Sequence, residues 1–235
     1  SVTGFKLQNE LVWEQKLLVT ISNSHYTRNV MLPKFKKEFE DNGFPTIDVV
    51  VARASELLEN TESKLLETYI ETKSDPLVGT IEPSMYVGSF EWDSPSLLPP
   101  KDVRPYAKEI ITNLIALHSE VQTIMPDLMY AVLSAIVITI SEEMSRLMNC
   151  VTHFSDNGAM QARLDLMALT FTLSNYFTPN SKDFFCDATD AVPPFKTEND
   201  ESYVMKCLEQ FKTRMHLQLM CFLSPISNDV ETSII

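Results

Sequence analysis

The stretch Pro126 to Val151, PDLMYAVLSAIVITISEEMSRLMNCV, constrains this chain more than any other. Leu128, Val132, Ile136, Ile140, Met144, Leu147 and Val151 recur at steps of four and three, the spacing of one helix face. Met129, Ala131, Leu133, Ala135, Val137 and Ile138 make the first half apolar nearly all the way round. Glu142, Glu143, Arg146 and Asn149 give the second half a wet side. The first half is therefore expected at the centre of a helical bundle and the second nearer its edge. The uncharged run is roughly a dozen residues, short of the ~20 that a bilayer crossing needs, so no membrane span is expected. Burying a Leu or Ile side chain contributes ~1.5 to 3 kcal/mol, while ordering each residue costs ~1 to 2 kcal/mol of backbone entropy. Such a helix needs neighbours on several sides.

A chain of 235 residues can surround it, as one large domain or two smaller ones. It begins at a serine and carries no charged, apolar leader, so it reads as a fragment or processed chain without a secretion signal of its own. Five glycines beside eleven methionines argue against all-β and doubly wound folds, which spend glycine on turns and phosphate loops. The formal charge of −13 opposes nucleic acid and anionic lipid as partners, because both are bound mainly through lysine and arginine. The small basic cluster Lys34, Lys36 and Lys37 is followed at once by Glu38 and Glu40 and reads as a solvated helix face. Cys150, Cys186, Cys207 and Cys221 lack C-x-x-C spacing and read as reduced thiols of a cytoplasmic protein.

Taken in order, Phe5 to about His25 is expected as a first helix with Leu7, Leu11, Leu18 and Ile21 as its stripe. A second helix after Thr27 to Asn29 stops at Asn42 and Gly43. Thr46 is expected to cap a long acidic third helix that turns Ile47, Val50, Val51, Ala54, Leu57, Leu58, Leu65, Leu66 and Tyr69 inward and ends before Asp75 and Pro76. These three form one segment, residues 1–75. Residues 76–100, with five prolines and the aromatic residues Tyr86, Phe90 and Trp92, are expected as a long connection whose rings clamp it across helices. Contact of Phe90 and Trp92 with a partner is the sharper alternative. Residues 101–235 form a second bundle. Val103, Ala107, Ile110, Leu114, Leu117, Val121 and Ile124 predict a helix antiparallel to the central one. Ser155 to Gly158 turn into another with Met160, Leu164, Met167 and Phe171 on its face. Thr178 and Pro179 start a short helix, and Val204, Leu208, Phe211, Met215, Leu219 and Phe222 line the last. No internal repeat is present.

The same residues supply no reactive constellation. His25, His118, His153 and His216 stand apart, with no metal-ligand spacing. Gly4, Gly43, Gly79, Gly88 and Gly158 are too dispersed to cradle a phosphate, and no nucleophile motif occurs. Glu142 and Glu143 point roughly 100° apart on a helix, so they do not form a facing acid and base. No catalytic residue, metal or cofactor is expected. The residues alone describe a soluble, acidic helical scaffold that presents surfaces. If Ile235 is a native end, Ser233, Ile234 and Ile235 fit the carboxylate pattern that PDZ domains take up as an added strand.

Three runs carry a resemblance. SEEMSRLMNCVTHFSDNGAMQARLDLMAL, DPLVGTIEPSMYVGSFEW and MHLQLMCF resemble the C-terminal region of the exocyst complex component 2 family, and the likeness spans roughly Leu18 to Leu223. The two ends and the loop Asp187 to Asp200 match poorly. The resemblance implies an all-α architecture of stacked antiparallel helical bundles, part of the helical rod of a tethering complex. It implies other exocyst subunits as partners, in an eight-protein complex that holds secretory vesicles at the plasma membrane before SNARE-mediated fusion. The protein would then be cytoplasmic and peripheral at exocytic sites, without direct membrane insertion and without enzymatic activity. The family's Ral GTPase site lies in an immunoglobulin-like domain outside this segment. A helical adaptor of another trafficking complex remains the alternative.

Overall fold

In the computed structural model, residues 11–45 and 47–223 are described, and every regular element among them is helical. Thr46, the beginning of the first expected helix at Phe5 and Leu7, and Ser233 to Ile235 lie outside the described residues. The elements are α1 (Trp13–Tyr26), a π-helical turn (Thr27–Met31), α2 (Leu32–Asp41), α3 (Asp48–Met85), α4 (Pro105–Ile124), α5 (Met129–Cys150), α6 (Asp156–Leu173), α7 (Pro179–Asp190) and α8 (Glu198–Leu223). They divide between two compact units. One comprises the described residues up to Lys73 with Glu120–Met129, the other Ser74–Ser119 with the described residues from Tyr130 onward.

In the first unit α1 buries Leu17, Leu18 and Ile21, and Tyr69, Val121, Met125 and Met129 are buried as well. The break expected at Thr27 to Asn29 is absent, because α1 runs through the π turn into α2. Pro33, near the start of α2, has no N–H for the carbonyl four residues back at Asn29, and widening the turn there accommodates that lost bond. The stop at Asn42 and Gly43 is as expected, with Gly43 at φ +72°. Two carboxylates hold the unit's polar contacts. Glu62 accepts from Ser24 Oγ at 3.1 Å and from Arg28 Nη2 at 3.0 Å. Glu120 accepts from the Tyr69 hydroxyl at 2.7 Å and pairs with Lys73 at 2.9 Å. Burial, followed by the bond to Glu120, holds the Tyr69 phenol well above its ordinary range.

The third helix departs from expectation at both ends. Of the side chains assigned inward, Tyr69 is buried, but Val50 is 68% and Leu57 57% exposed, and Val51, Ala54, Leu58, Leu65 and Leu66 are half-buried. The helix also continues ten residues past the expected stop, with Pro76 and Pro83 inside it. An interior proline costs about 3 kcal/mol. The two together cost about 6 kcal/mol, and burial of Leu77, Ile81 and Met85, spaced by four on one face, contributes roughly 5 to 9 kcal/mol against it. The irregular connection therefore starts at Tyr86, not at Pro76.

The second unit is built around α6, which buries eleven of its eighteen residues, among them Ala162, Leu164, Leu166, Ala168, Leu169 and Leu173. A helix covered on most sides has a weak apolar stripe, so its expected one-sided face was too narrow. Met167 and Phe171 are half-buried instead. It packs against α8, which contributes Val204, Leu208, Phe211, Leu219 and Phe222. In α5 Val132, Leu133, Ile136, Val137, Ile140, Met144, Leu147 and Met148 are buried, as its periodicity predicted. The run Pro126–Cys150 is long and apolar enough to cross a bilayer by length and composition, which the shorter uncharged count had not allowed. Just over half of its most apolar window is buried within the protein, the pattern of a core helix. At α7, Thr178 and Ser181 form a reciprocal capping box behind Pro179.

Candidate functional site

The feature that most organises the second unit's surface is a strap, residues 86–104, bound along one side of α6. Gly88 at φ +76° and Ser89 at φ +56° turn the chain out of α3. From there backbone groups are caught in succession. The Trp92 carbonyl accepts from the Ser155 N–H at 2.9 Å and Ser155 Oγ at 3.1 Å. Asn157 Nδ2 donates to the Leu97 carbonyl at 2.7 Å, and Gln161 Nε2 to that of Asp102 at 3.0 Å. The Arg104 N–H donates to Asp165 Oδ1 at 2.8 Å. Positions 157, 161 and 165 are one helix turn apart, so a single side of α6 meets the strap.

The aromatic residues of the strap serve this attachment. Trp92 is 3% exposed, with Phe90 against it edge-on at 4.8 Å and Phe154 at 5.9 Å. Phe90 is half-buried and carries the Arg104 guanidinium 3.3 Å above its ring. Trp92, named as a possible partner contact, has its ring inside the unit, and its own carbonyl is held by Ser155. Phe90 has one face covered by Arg104. The other two expected partner residues, Ser233 and Ile235, lie outside the described residues.

Metal-ligating side chains do not converge among the described residues. No group of three or more His, Cys, Asp or Glu residues could hold a metal. A cleft of about 280 Å³ beside the start of α6 is lined by Phe154, Asp156, Met160, Phe195, Lys196 and Asp200. Its lysine is paired with Asp156 at 2.6 Å. His118 lies against the edge of Phe222 at 5.9 Å, and burial lowers its pKa. Asp187 takes hydrogen bonds from Ser145 and, at 2.9 Å, from Asn149, an arrangement that ties α7 to α5.

The surface holds what sequence periodicity missed. In the first unit Trp13, Phe35, Phe44, Val49, Val50 and Leu57 are all about half or more exposed, and Phe35, Phe39 and Phe44 form a ladder with ring centroids 4.7 and 5.2 Å apart. In α8 Leu217 is 81% exposed. A periodic apolar stripe reports that a face is suited to burial, and this structure shows which such faces the described residues leave uncovered.

Fold and side-chain placement thus define an all-α protein whose polar clusters hold helices and a strap in place. The chain matches the family described as Exocyst complex component Sec5 over residues 3–222. It is 41% identical to human Exocyst complex component 2 over 222 residues, covering 94% of this chain and 24% of that protein. The mouse protein of the same name is 42% identical over 212 residues, covering 90% of this chain and 23% of that protein. The Drosophila melanogaster protein is 38% identical over 222 residues, covering 94% and 25%. The chain belongs to the exocyst component Sec5 family, and it spans about a quarter of the length of these curated relatives. No solved structure gives a significant match.

Proposed function

We propose that this chain is part of an exocyst subunit and acts as a structural and interaction element of the complex that tethers secretory vesicles to the plasma membrane before SNARE-mediated fusion. Its partners are other exocyst subunits, its place is cytoplasmic and peripheral at exocytic sites, and it performs no catalysis. The observation that carries this reading is identity of about two residues in five with Exocyst complex component 2 across 94% of the chain. The physical character of the chain supports it. A tether works by spanning distance and holding partners, so its free energy goes into packed helices and exposed apolar side chains. Affinity capture of the tagged chain, with mass spectrometry of what is retained, tests it. Recovery of exocyst subunits in proportion to one another is the expected result. Recovery of a different trafficking complex, or of no exocyst subunit, overturns the reading.

A further inference from the structure

The strap is joined to α6 at one point by a completely buried carboxyl group, Asp165. Its Oδ1 accepts from the Arg104 N–H at 2.8 Å and from Gln161 Nε2 at 3.0 Å. Its Oδ2, Arg104 Nη1 and the Tyr106 hydroxyl are buried without a well-formed hydrogen bond, although the phenol lies close enough to the carboxyl to bear on its ionisation. The Arg104 guanidinium lies over Phe90, not on the carboxylate. An acid, a cation stacked on a ring and a phenol thus share one dry site with an unanswered polar atom apiece. The remaining titratable groups are accounted for. Asp102 turns its carboxylate to Lys108 and Arg214, and Tyr86 acts on Arg104 and Tyr106 from the strap side. The buried side chains of α7 and α8 are apolar apart from Ser181 and Cys207, whose thiol donates to the Pro100 carbonyl. Those of α5 are apolar or serine.

We propose that this cluster is a proton-controlled latch: with Asp165 protonated, Arg104 stays on Phe90 and residues 86–104 lie closed on α6, and with Asp165 ionised the guanidinium is drawn off Phe90 and the strap loosens around Trp92. The protonated carboxyl is neutral and can donate from Oδ2 to the Tyr106 hydroxyl, so the dry site tolerates it. The ionised form leaves a charge there that the Tyr106 phenol answers only in part, and the cation that acts on it is Arg104. Because Arg104 covers Phe90, and Phe90 packs on Trp92, moving one guanidinium disturbs both rings. Burial pushes Asp165 up to about 7, against the opposing pull of the Arg104 N–H, Gln161, the Arg104 charge and the Tyr106 phenol, so the exchange centres near neutral pH.

The chain has two tryptophans, and Trp13 is 62% exposed, so Trp13→Phe leaves Trp92 as the reporter of the strap. In that background the Trp92 emission is followed from about pH 5 to about pH 9. The latch predicts one transition centred near 7 and its loss in Asp165→Asn. Should Asp165→Asn fail to fold, Arg104→Gln removes the cation that answers the ionised acid and moves the midpoint upward. The same transition in Asp165→Asn, no transition in the Trp13→Phe background, or an unmoved midpoint in Arg104→Gln overturns the proposal.

Discussion

A Cβ placed on Gly158 would stand 1.9 Å from the Trp92 carbonyl oxygen. That atom is backbone, held by Ser155 through both its N–H and its hydroxyl, so it cannot swing aside as the end of a flexible side chain would. Elsewhere in a helix, glycine to alanine stabilises by up to about 1 kcal/mol. Here Gly158→Ala must push the strap off the start of α6 and lose at least one of the Ser155 bonds, reversing the sign. We expect a loss of about 2 to 4 kcal/mol, a fall of several degrees in Tm by calorimetry. An unchanged or raised Tm would show that the strap does not sit against α6. The other residue-scale test is Asp165. Its folded pKa of about 7 lies above the usual carboxylate value, so between about pH 4 and pH 7 the folded chain holds a proton that the unfolded chain has released. Stability from this group is therefore greatest at low pH and falls as pH rises to about 7. Denaturant unfolding of Asp165→Asn against the parent checks it. Between about pH 5 and pH 8 the variant should gain about 2 to 3 kcal/mol relative to the parent, while an equal difference at both pH values would contradict the assignment.

At the scale of elements, α5 carries the sharpest contrast. Ile136 is fully buried, and aspartate there places a lone charge in the bundle, at a cost of several kcal/mol and loss of cooperative folding. Leu217→Asp in α8, at a position 81% exposed, should leave Tm within about a degree. Equal effects of the two would show that burial has been misassigned. These helices were legible in the sequence because α4, α5 and α8 bury most of the stripes their periodicity marks, with Ile124, Leu128, Val151 and Met215 left half-buried, and the Thr178–Pro179 start of α7 is a local signal complete in four residues. Elements decided by distant contacts were not. Proline chemistry alone argues for a stop at Pro76, and only the burial of Leu77, Ile81 and Met85 shows why the helix continues. Nothing nearby in sequence announces the strap that covers Asp165, so its burial was not legible there. Trp92 and Phe90 were singled out correctly as the rings of the connection, yet whether they face a partner or the interior depends on Ser155, Asn157 and Gly158, some sixty residues away.

For the molecule as a whole, the first unit is the informative one. Its α2 is strongly two-sided, with Phe35 and Phe39 opposite its lysines, and buries no residue among those described. The N-terminal part of α3 likewise presents Val49, Val50 and Leu57. Exposed apolar side chains of that number suit a protein that works in contact with others. The family membership came through the residues in a way the bare physics did not, since helical packing constrains the fold and leaves the partners open. The most direct measurement is to replace the resident exocyst component with one lacking the segment that this chain represents, isolate the complex, and quantify every subunit. Our account predicts that one or more partner subunits fall well below their normal proportion. A complex recovered complete and in normal proportion would contradict it.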